Sequence, residues 1–177
     1  MEKGFVVWLT GLPASGKTTI AISLEEKLRS NGLRVEVMDG DEVRKGLSRD
    51  LGFSKEDREK HAMRVAYVSK LLARNGVAVI VALISPYRSF REVIRSDIEH
   101  FIEVFVQCPV EECAKRDPKG LYAKAFAGEV KDFTGVDDPY EEPENPELVL
   151  DTVSESTAES VAKVLVWLSD NDYLDGH

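Results

Sequence analysis

The sequence has little of what marks membrane, metal-bound or disulfide-stabilised proteins. Its longest apolar run, residues 77–84, is eight residues long, whereas a helix that crosses a bilayer needs about 20. The two cysteines, Cys108 and Cys113, form no CxxC pair, which argues against a disulfide framework and a zinc site. No basic and then apolar segment precedes the first predicted strand, because residues 1–4 lead straight into it. We therefore expect a cytoplasmic protein without membrane contact.

Positive charge is also in the minority. The formal net charge is −9, which argues against a nucleic-acid partner, since such binding depends on a broad cationic surface. Small anions are not excluded, because a pocket needs only a few converging Arg and Lys side chains. Hydrophobic residues make up 43% and charged residues 31% of the 177 residues, which is ordinary for a globular enzyme. A chain of this length predicts a single domain over residues 1–177.

Apolar runs alternate with helical patterns along the chain. Five strands are predicted, at residues 5–10, 33–38, 77–84, 101–107 and 148–151. Helical patterns follow the first and second strands and cover residues 55–75, 110–116 and 157–168. Runs that are apolar throughout suit strands covered on both faces. The alternation predicts a three-layer α/β/α fold with a five-stranded parallel sheet and a ligand at the carboxyl ends of the strands.

A phosphate-binding loop lies between the first strand and the first helix. The motif GxxxxGK[ST] matches at every defined position of one segment, Gly11-Leu12-Pro13-Ala14-Ser15-Gly16-Lys17-Thr18. Its glycines let backbone N–H groups point at phosphates, and the helix that follows adds its positive dipole end. We expect Lys17 to reach the β- and γ-phosphates of ATP, Thr18 to hold Mg²⁺, and Thr19 to complete the ATP site. A glycine-rich turn that only caps a helix is the alternative, which the full match disfavours. The fold is therefore predicted to be that of the P-loop NTPases.

Two carboxylates follow the second strand, in Asp39-Gly40-Asp41. Asp41 is a candidate to orient or deprotonate an acceptor hydroxyl, and Asp39 is a candidate for the Mg²⁺ shell, directly or through water. Helix capping is the alternative, since Asp is a preferred N-cap residue. The position beside the phosphate-binding loop favours chemistry.

Arginines and two loop phenylalanines are candidates for binding the acceptor. Five arginines recur around strand ends and predict a local cationic cluster: Arg44, Arg58, Arg64, Arg88 and Arg91. Any one of them alone is more often a solvated surface residue or an ion-pair partner, so the prediction depends on the group. Phe53 and Phe133 lie in glycine-bearing loops, where a ring either stacks on a base or fills the edge of the core.

Several segments resemble the adenylylsulfate kinases, which use ATP to phosphorylate the ribose 3′-hydroxyl of adenylylsulfate (APS). The likeness covers nearly the whole chain, and the Ser-Pro-Tyr-Arg and Asp-Pro-Lys-Gly-Leu-Tyr segments are more particular to this family than the phosphate-binding loop. Besides residues 11–18 and 39–41, the matching segments are residues 50–54, 57–58, 84–88, 117–122 and 133–135.

The resemblance implies the roles of several acceptor residues. Phe53 and Phe133 would hold the adenine of APS between them, while Arg58, Ile84 and Ser85 would hold its phosphosulfate and sugar. In the same way, Asp41 and Arg44 would flank the reacting hydroxyl. The family describes Ser85 as a phosphoserine intermediate, although direct in-line transfer with Ser85 as a substrate contact is physically simpler.

The resemblance also implies a lid and a homodimer. Lys119 and Lys124 look like the lid lysines near the transferred phosphate, and Arg116 would pack on the adenine of ATP. Residues 117–143 would close over the site during transfer. Many relatives are dimers, which points to a homodimer here.

One departure from the family pattern concerns the acceptor site. After Asp57-Arg58 the family continues Glu-Asn-Ile-Arg-Arg, whereas this chain has Lys60, His61, Ala62 and Met63 before Arg64. His61 therefore stands for an asparagine that contacts substrate in relatives, and it either donates a hydrogen bond or is a packed helix residue. The alternative functions are those of another small-molecule or nucleoside monophosphate kinase, or of a non-catalytic nucleotide switch.

Overall fold

The computed structural model describes residues 4–174 of the chain, so the first and last three residues of the predicted domain lie outside it. Its strands are β1 (Phe5–Thr10), β2 (Val35–Asp39), β3 (Ala78–Ala82), β4 (Phe101–Gln107) and β5 (Leu148–Asp151). Its helices are α1 (Lys17–Ser30), α2 (Gly40–Gly46), α3 (Lys55–Ala73), α4 (Arg88–Asp97), α5 (Val110–Arg116), α6 (Leu121–Phe126) and α7 (Thr157–Asp170). Across residues 4–174, no helix is both long enough and apolar enough to cross a membrane.

The five strands form one parallel sheet in the order β2-β3-β1-β4-β5. This confirms the predicted five-stranded parallel sheet. Strand β1 lies at the centre, between β3 and β4, and all six of its residues are buried. The strand order reverses beside β1, and in open α/β sheets this is where ligands bind. The phosphate-binding loop follows β1 directly and so lies at that point.

Two hydrophobic clusters cover the two faces of the sheet. In β1, Phe5, Val7 and Leu9 pack with α1 and α7, whereas Val6 and Trp8 pack with α3 and α4. Because side chains alternate along a strand, one apolar run supplies both clusters. The three predicted layers are therefore confirmed.

The structure differs from the sequence prediction mainly where polar residues interrupt an apolar pattern. Strand β3 ends at Ala82 rather than at residue 84, since the chain leaves the sheet before Ser85, which has a φ of 47°. Two helices, α4 and α6, were not predicted. In α4 a buried arginine, Arg91, lies between the apolar Phe90 and Ile94 and obscures the helical pattern. Helix α6 is only six residues long.

Candidate active site

The phosphate-binding loop spans the six residues between β1 and α1. Gly11 approaches β4 so closely that a Cβ atom there would lie 2.5 Å from the carbonyl oxygen of Val106. Gly16 caps α1 with a φ of 109°, a conformation that favours glycine. The strand–loop–helix context predicted for the motif is therefore present, and its glycines are required by the geometry.

Lys17 is buried within its own loop. Its Nζ donates to the carbonyl oxygens of Gly11 at 2.9 Å and Leu12 at 2.7 Å, and it lies 3.4 Å from the Oγ of Ser15. Burial lowers the pKa of Lys17 to about 8, against the opposing effect of the Asp39 and Asp41 carboxylates among other groups. The ammonium group is thus held inside the loop by neutral oxygen atoms, two carbonyls and one hydroxyl.

The predicted magnesium residues are in direct contact. Thr18 Oγ1 donates to Asp39 Oδ2 at 2.6 Å. The other oxygen of Asp39 accepts from the backbone N–H of Asp41 at 3.2 Å, so Asp39 is also the N-cap of α2. Gly40 packs against the end of β3, where an added Cβ atom would lie 3.0 Å from Leu83. Asp39 therefore caps a helix, as one of its two predicted roles requires, and it also contacts the hydroxyl of Thr18. Its place in the Mg²⁺ shell stays a prediction.

Asp41 forms an ion pair with Lys119. Lys119 precedes α6, in the segment predicted to be the lid, and both side chains are well exposed. Exposed ion pairs contribute only about 0–1 kcal/mol to stability, so this contact explains little of the fold. It does place a lysine of the predicted lid beside the candidate base.

Phe53 and two arginines form one side of the acceptor region. The ring of Phe53 is 61% exposed, and the guanidinium carbon of Arg44 lies 4.4 Å from its centroid. Arg58 donates to the carbonyl oxygens of Phe53 and Asp132 and to Thr134 Oγ1, so it joins the two loops that carry the predicted adenine contacts. Partial burial, followed by the charge of Arg58, lowers the pKa of Arg44. Two like charges beside an exposed ring favour an anionic, aromatic ligand.

Phe133 has a different environment from Phe53. It is only 8% exposed and belongs to a third apolar cluster, where its ring packs edge-on against Tyr122 at 4.9 Å between centroids. In this conformation Phe133 fills the edge of the core, which was one of its two predicted roles. Its contact with adenine stays a prediction.

The segment after β3 is closely packed. Ser85 is 3% exposed, and its Oγ accepts from Trp8 Nε1 at 2.8 Å and donates to the carbonyl oxygen of Leu83 at 3.2 Å. The carbonyl oxygen of Ile84 accepts from Thr10 Oγ1 at 2.7 Å. The hydroxyl of Ser85 is therefore engaged on both sides, which favours a positioning role over a phosphorylated intermediate.

His61 is a packed residue of α3. It is 3% exposed, and its Nδ1 lies 2.8 Å from Ser48 Oγ. Burial, with the charges of Arg44 and Arg64 next, lowers the pKa of His61 to about 4, so the ring is neutral at pH 7. Its Nε2 has no hydrogen-bond partner within residues 4–174. Of the two predicted roles, packing is observed, and a substrate contact stays a prediction.

Arg116 and Thr152 meet at the back of the phosphate-binding loop. Arg116 donates to Thr152 Oγ1 at 3.1 Å and to its carbonyl oxygen at 2.7 Å, and more weakly to the carbonyl oxygen of Ser15 at 3.3 Å. Thr152 Oγ1 donates to the same Ser15 oxygen at 2.7 Å. The sequence analysis missed Thr152, although its place directly after β5 puts it at the ligand edge of the sheet.

The five arginines of the predicted cluster divide into two groups. Arg64 forms a bidentate ion pair with Asp50, and its charge and that of Arg44 both act on His61. Arg58 in turn lies near Arg44. On the other side, Arg88 and Arg91 donate to the backbone of residues 141–142, at the end of the predicted lid. These arginines therefore take part in two separate sets of hydrogen bonds, and a shared role in binding an anion stays a prediction.

Comparison with known proteins identifies a family for this arrangement. The family model described as "Adenylylsulphate kinase" matches residues 3–151. The probable adenylyl-sulfate kinase of Synechocystis is 52% identical over 175 residues, which cover 99% of both chains. The probable bifunctional SAT/APS kinase 2 of Sorangium cellulosum is 54% identical over 97% of this chain, which spans only 29% of that longer protein. A solved structure of the Mycobacterium tuberculosis APS kinase, in complex with AMPPNP and APS, superimposes with a TM-score of 0.92 and 44% identity over 96% of this chain and 99% of that one.

Proposed function

The chain belongs to the adenylylsulphate kinase family, and from this premise we propose which of its residues carry phosphoryl transfer from ATP to a hydroxyl group of APS. The kinase activity itself follows from the family. We infer that the acceptor is the ribose 3′-hydroxyl, which gives ADP and 3′-phosphoadenylyl sulfate. We also propose that residues 117–143 are a mobile lid within one domain, that the protein is cytoplasmic, and that it is a homodimer. The lid and the homodimer rest on the family resemblance.

One observation supports the assignment of roles more than any other. A continuous series of contacts leads from the phosphate-binding loop to the candidate base, through Thr18, Asp39 and the backbone of Asp41. Lys17 lies at the start of this series and Lys119 at its end. The groups that would bind the transferred phosphate and the group that would bind the acceptor alcohol are therefore held at one edge of the sheet.

Thr18 and Asp39 fit Mg²⁺. A hydroxyl and a carboxylate oxygen 2.6 Å apart are oxygen ligands of the kind this ion prefers, and in kinases it takes one or two carboxylates and completes its shell with phosphates and water. Within residues 4–174, no group of three or more His, Cys, Asp or Glu side chains could hold a metal, which fits an ion that arrives with ATP. Bound Mg²⁺ would neutralise charge on the β- and γ-phosphates.

The residues of the chain account for the remaining steps. Asp41 accepts the hydrogen bond of the acceptor hydroxyl and takes its proton as the oxygen attacks the γ-phosphorus. The bond from the γ-phosphorus to the β,γ-bridging oxygen breaks, and ADP leaves. Lys17 and Lys119 stabilise the charge on the transferred group, and Arg44 and Arg58 hold the anionic acceptor next to Phe53. Ser85 keeps the acceptor segment, residues 84–86, in place and is not phosphorylated.

The test is an assay of ADP formation with APS as the acceptor. The unmodified protein should turn over APS in the presence of Mg²⁺, and Asp41→Ala should lower kcat by at least about 100-fold with ATP affinity kept within about twofold. Lys17→Ala should lose both turnover and ATP affinity. Full activity of Asp41→Ala would exclude Asp41 as the base. Stimulation by shikimate, gluconate or a nucleoside monophosphate, with none by APS, would contradict the acceptor.

A further inference from the structure

Arg91 has an unusual position for an arginine. It lies on α4 and is only 2% exposed, on the same buried face of the helix as the apolar Phe90 and Ile94. Arginine is almost never fully buried unless it is paired, because removing its charge from water is unfavourable. The carboxylates of Glu103 and Glu141 lie near enough for their charges to act on Arg91, but within residues 4–174 no carboxylate lies at salt-bridge distance from it. Its burial therefore needs another explanation.

The guanidinium group joins two distant parts of the backbone. One terminal nitrogen donates to the carbonyl oxygen of Ser85 at 2.5 Å, and the other donates to the carbonyl oxygen of Glu141 at 2.5 Å. The group also lies 5.7 Å from the ring centroid of Tyr140. Ser85 belongs to the acceptor segment after β3, and Glu141 lies at the end of the predicted lid. The planar fork of Arg91 thus fixes the distance between these two segments.

Both ends of this connection are held by further bonds. The backbone N–H of Glu141 donates to the carbonyl oxygen of Pro86 at 2.8 Å. Tyr140 Oη lies 2.9 Å from Thr10 Oγ1, whose own proton goes to the carbonyl oxygen of Ile84, so Tyr140 is the donor. Thr10 directly precedes the phosphate-binding loop. Its hydroxyl therefore connects Tyr140, near the end of the predicted lid, with Ile84 of the acceptor segment.

Two features of this region oppose stability. Ser85 has a φ of 47°, which is disfavoured for residues other than glycine. The Nε of Arg91 is buried and has no partner within the described residues. Strained backbone and unpaired buried donors persist where the surrounding structure enforces them, and they concentrate at functional sites. We therefore interpret the contacts of Arg91 as a feature of the substrate-binding site and not as one that stabilises the fold.

We propose that Arg91 is a positioning residue that sets the acceptor segment, residues 84–86, against the end of the lid, so that APS meets a preformed binding surface. This inference rests on the proposed function. Arg91 acts through the carbonyl oxygen of Ser85 and does not itself take part in the transfer. A lysine at this position would keep the charge, but it has no planar fork to hold both carbonyl oxygens.

The test is Arg91→Lys, with kcat and KM measured separately for APS and ATP. We expect the KM for APS to rise at least about tenfold while the dissociation constant for ATP changes less than about twofold. The matched control is Arg95→Lys, one turn along the same helix, where the side chain pairs with Glu147 and Glu103 and touches neither segment. This control should leave both constants unchanged.

Tyr140→Phe is a second variant in case Arg91→Lys does not fold. It keeps the ring beside Arg91 and removes only the bond to Thr10, and it should raise the KM for APS about threefold without an effect on ATP binding. Equal effects on APS and ATP, or a loss of thermal stability with an unchanged KM for APS, would overturn the proposal. If the unmodified protein does not phosphorylate APS at all, the proposed function has failed, whereas an unaltered KM in both variants refutes only the role of Arg91.

Discussion

At the scale of single residues, Asp39 combines two roles that a substitution can separate. Its carboxylate caps α2 and accepts a hydrogen bond from the hydroxyl of Thr18. Asparagine caps helices as well as aspartate does but has no charge for a metal. Asp39→Asn should therefore unfold within about 2 °C of the unmodified protein while needing at least about tenfold more Mg²⁺ for half-maximal activity.

The measurement is a thermal melt beside a Mg²⁺ titration of ADP formation. Asp39→Ala is the matched variant that removes the cap as well, and it should lower stability by about 1 kcal/mol. An unchanged Mg²⁺ requirement in Asp39→Asn would leave capping as the whole role of this residue.

His61 should make the protein less stable in acid. Burial lowers its pKa from 6.5 to about 4, so between these values the unfolded chain binds a proton that the folded chain does not. The free energy of unfolding therefore falls as the pH is lowered from about 6.5 to 4. His61→Asn should remove this part of the pH dependence.

Urea unfolding of both proteins at pH 8, 6.5, 5.5 and 4.5 would measure this effect. The comparison at pH 8 removes differences in packing, since the histidine is neutral there in both states. Parallel pH profiles of the two proteins would show that His61 does not titrate as its burial requires.

At the scale of elements, Lys119 joins the turn before α6 to the beginning of α2. Because the pair with Asp41 is exposed, Lys119→Ala should change the free energy of unfolding by less than about 1 kcal/mol. It should nevertheless lower kcat by about 100-fold, since it removes a cation from the transferred phosphate. Lys115→Ala removes a comparable exposed pair, with Glu112 on α5, and should leave kcat unchanged. Loss of stability without loss of kcat would reverse this interpretation.

The elements that could be predicted from the sequence are those whose conformation is determined by residues adjacent in the chain. Five apolar residues and a threonine before a glycine define β1, and the eight-residue motif that follows defines the loop and the start of α1. The Asp39-Gly40-Asp41 turn was equally predictable, because it follows a strand directly. For such segments the neighbours in sequence are also the neighbours that decide the conformation.

The parts that escaped prediction depend on contacts between distant residues. Trp8 and Ser85, 77 positions apart, form the buried bond that fixes the acceptor segment. Thr152 and Ser15 are 137 positions apart. The pattern of α4 is interrupted by Arg91, whose burial makes sense only once its two carbonyl partners are known. Which of its two predicted roles Phe133 adopts likewise depends on Tyr122 of α6, a helix that was not predicted.

At the scale of the whole molecule, ligand binding should stabilise the fold. A ligand present at 100 times its dissociation constant adds about 2.7 kcal/mol to the free energy of unfolding. For a domain of this size, ATP with Mg²⁺ should therefore raise the melting temperature by about 5–10 °C. Lys17→Ala should show almost no shift, and EDTA should reduce the shift of the unmodified protein. A full shift in Lys17→Ala would remove this lysine from the ATP site.

The central position of β1 has an evolutionary consequence. The phosphate-binding loop follows a strand with neighbours on both sides and no exposed residue, whereas the proposed acceptor contacts come from α2, α3 and the segment after β3. Mutations that change the acceptor pocket therefore need not change the phosphate-binding loop. Such a division of labour lets a lineage of enzymes exchange one alcohol substrate for another while inheriting the same phosphate donor.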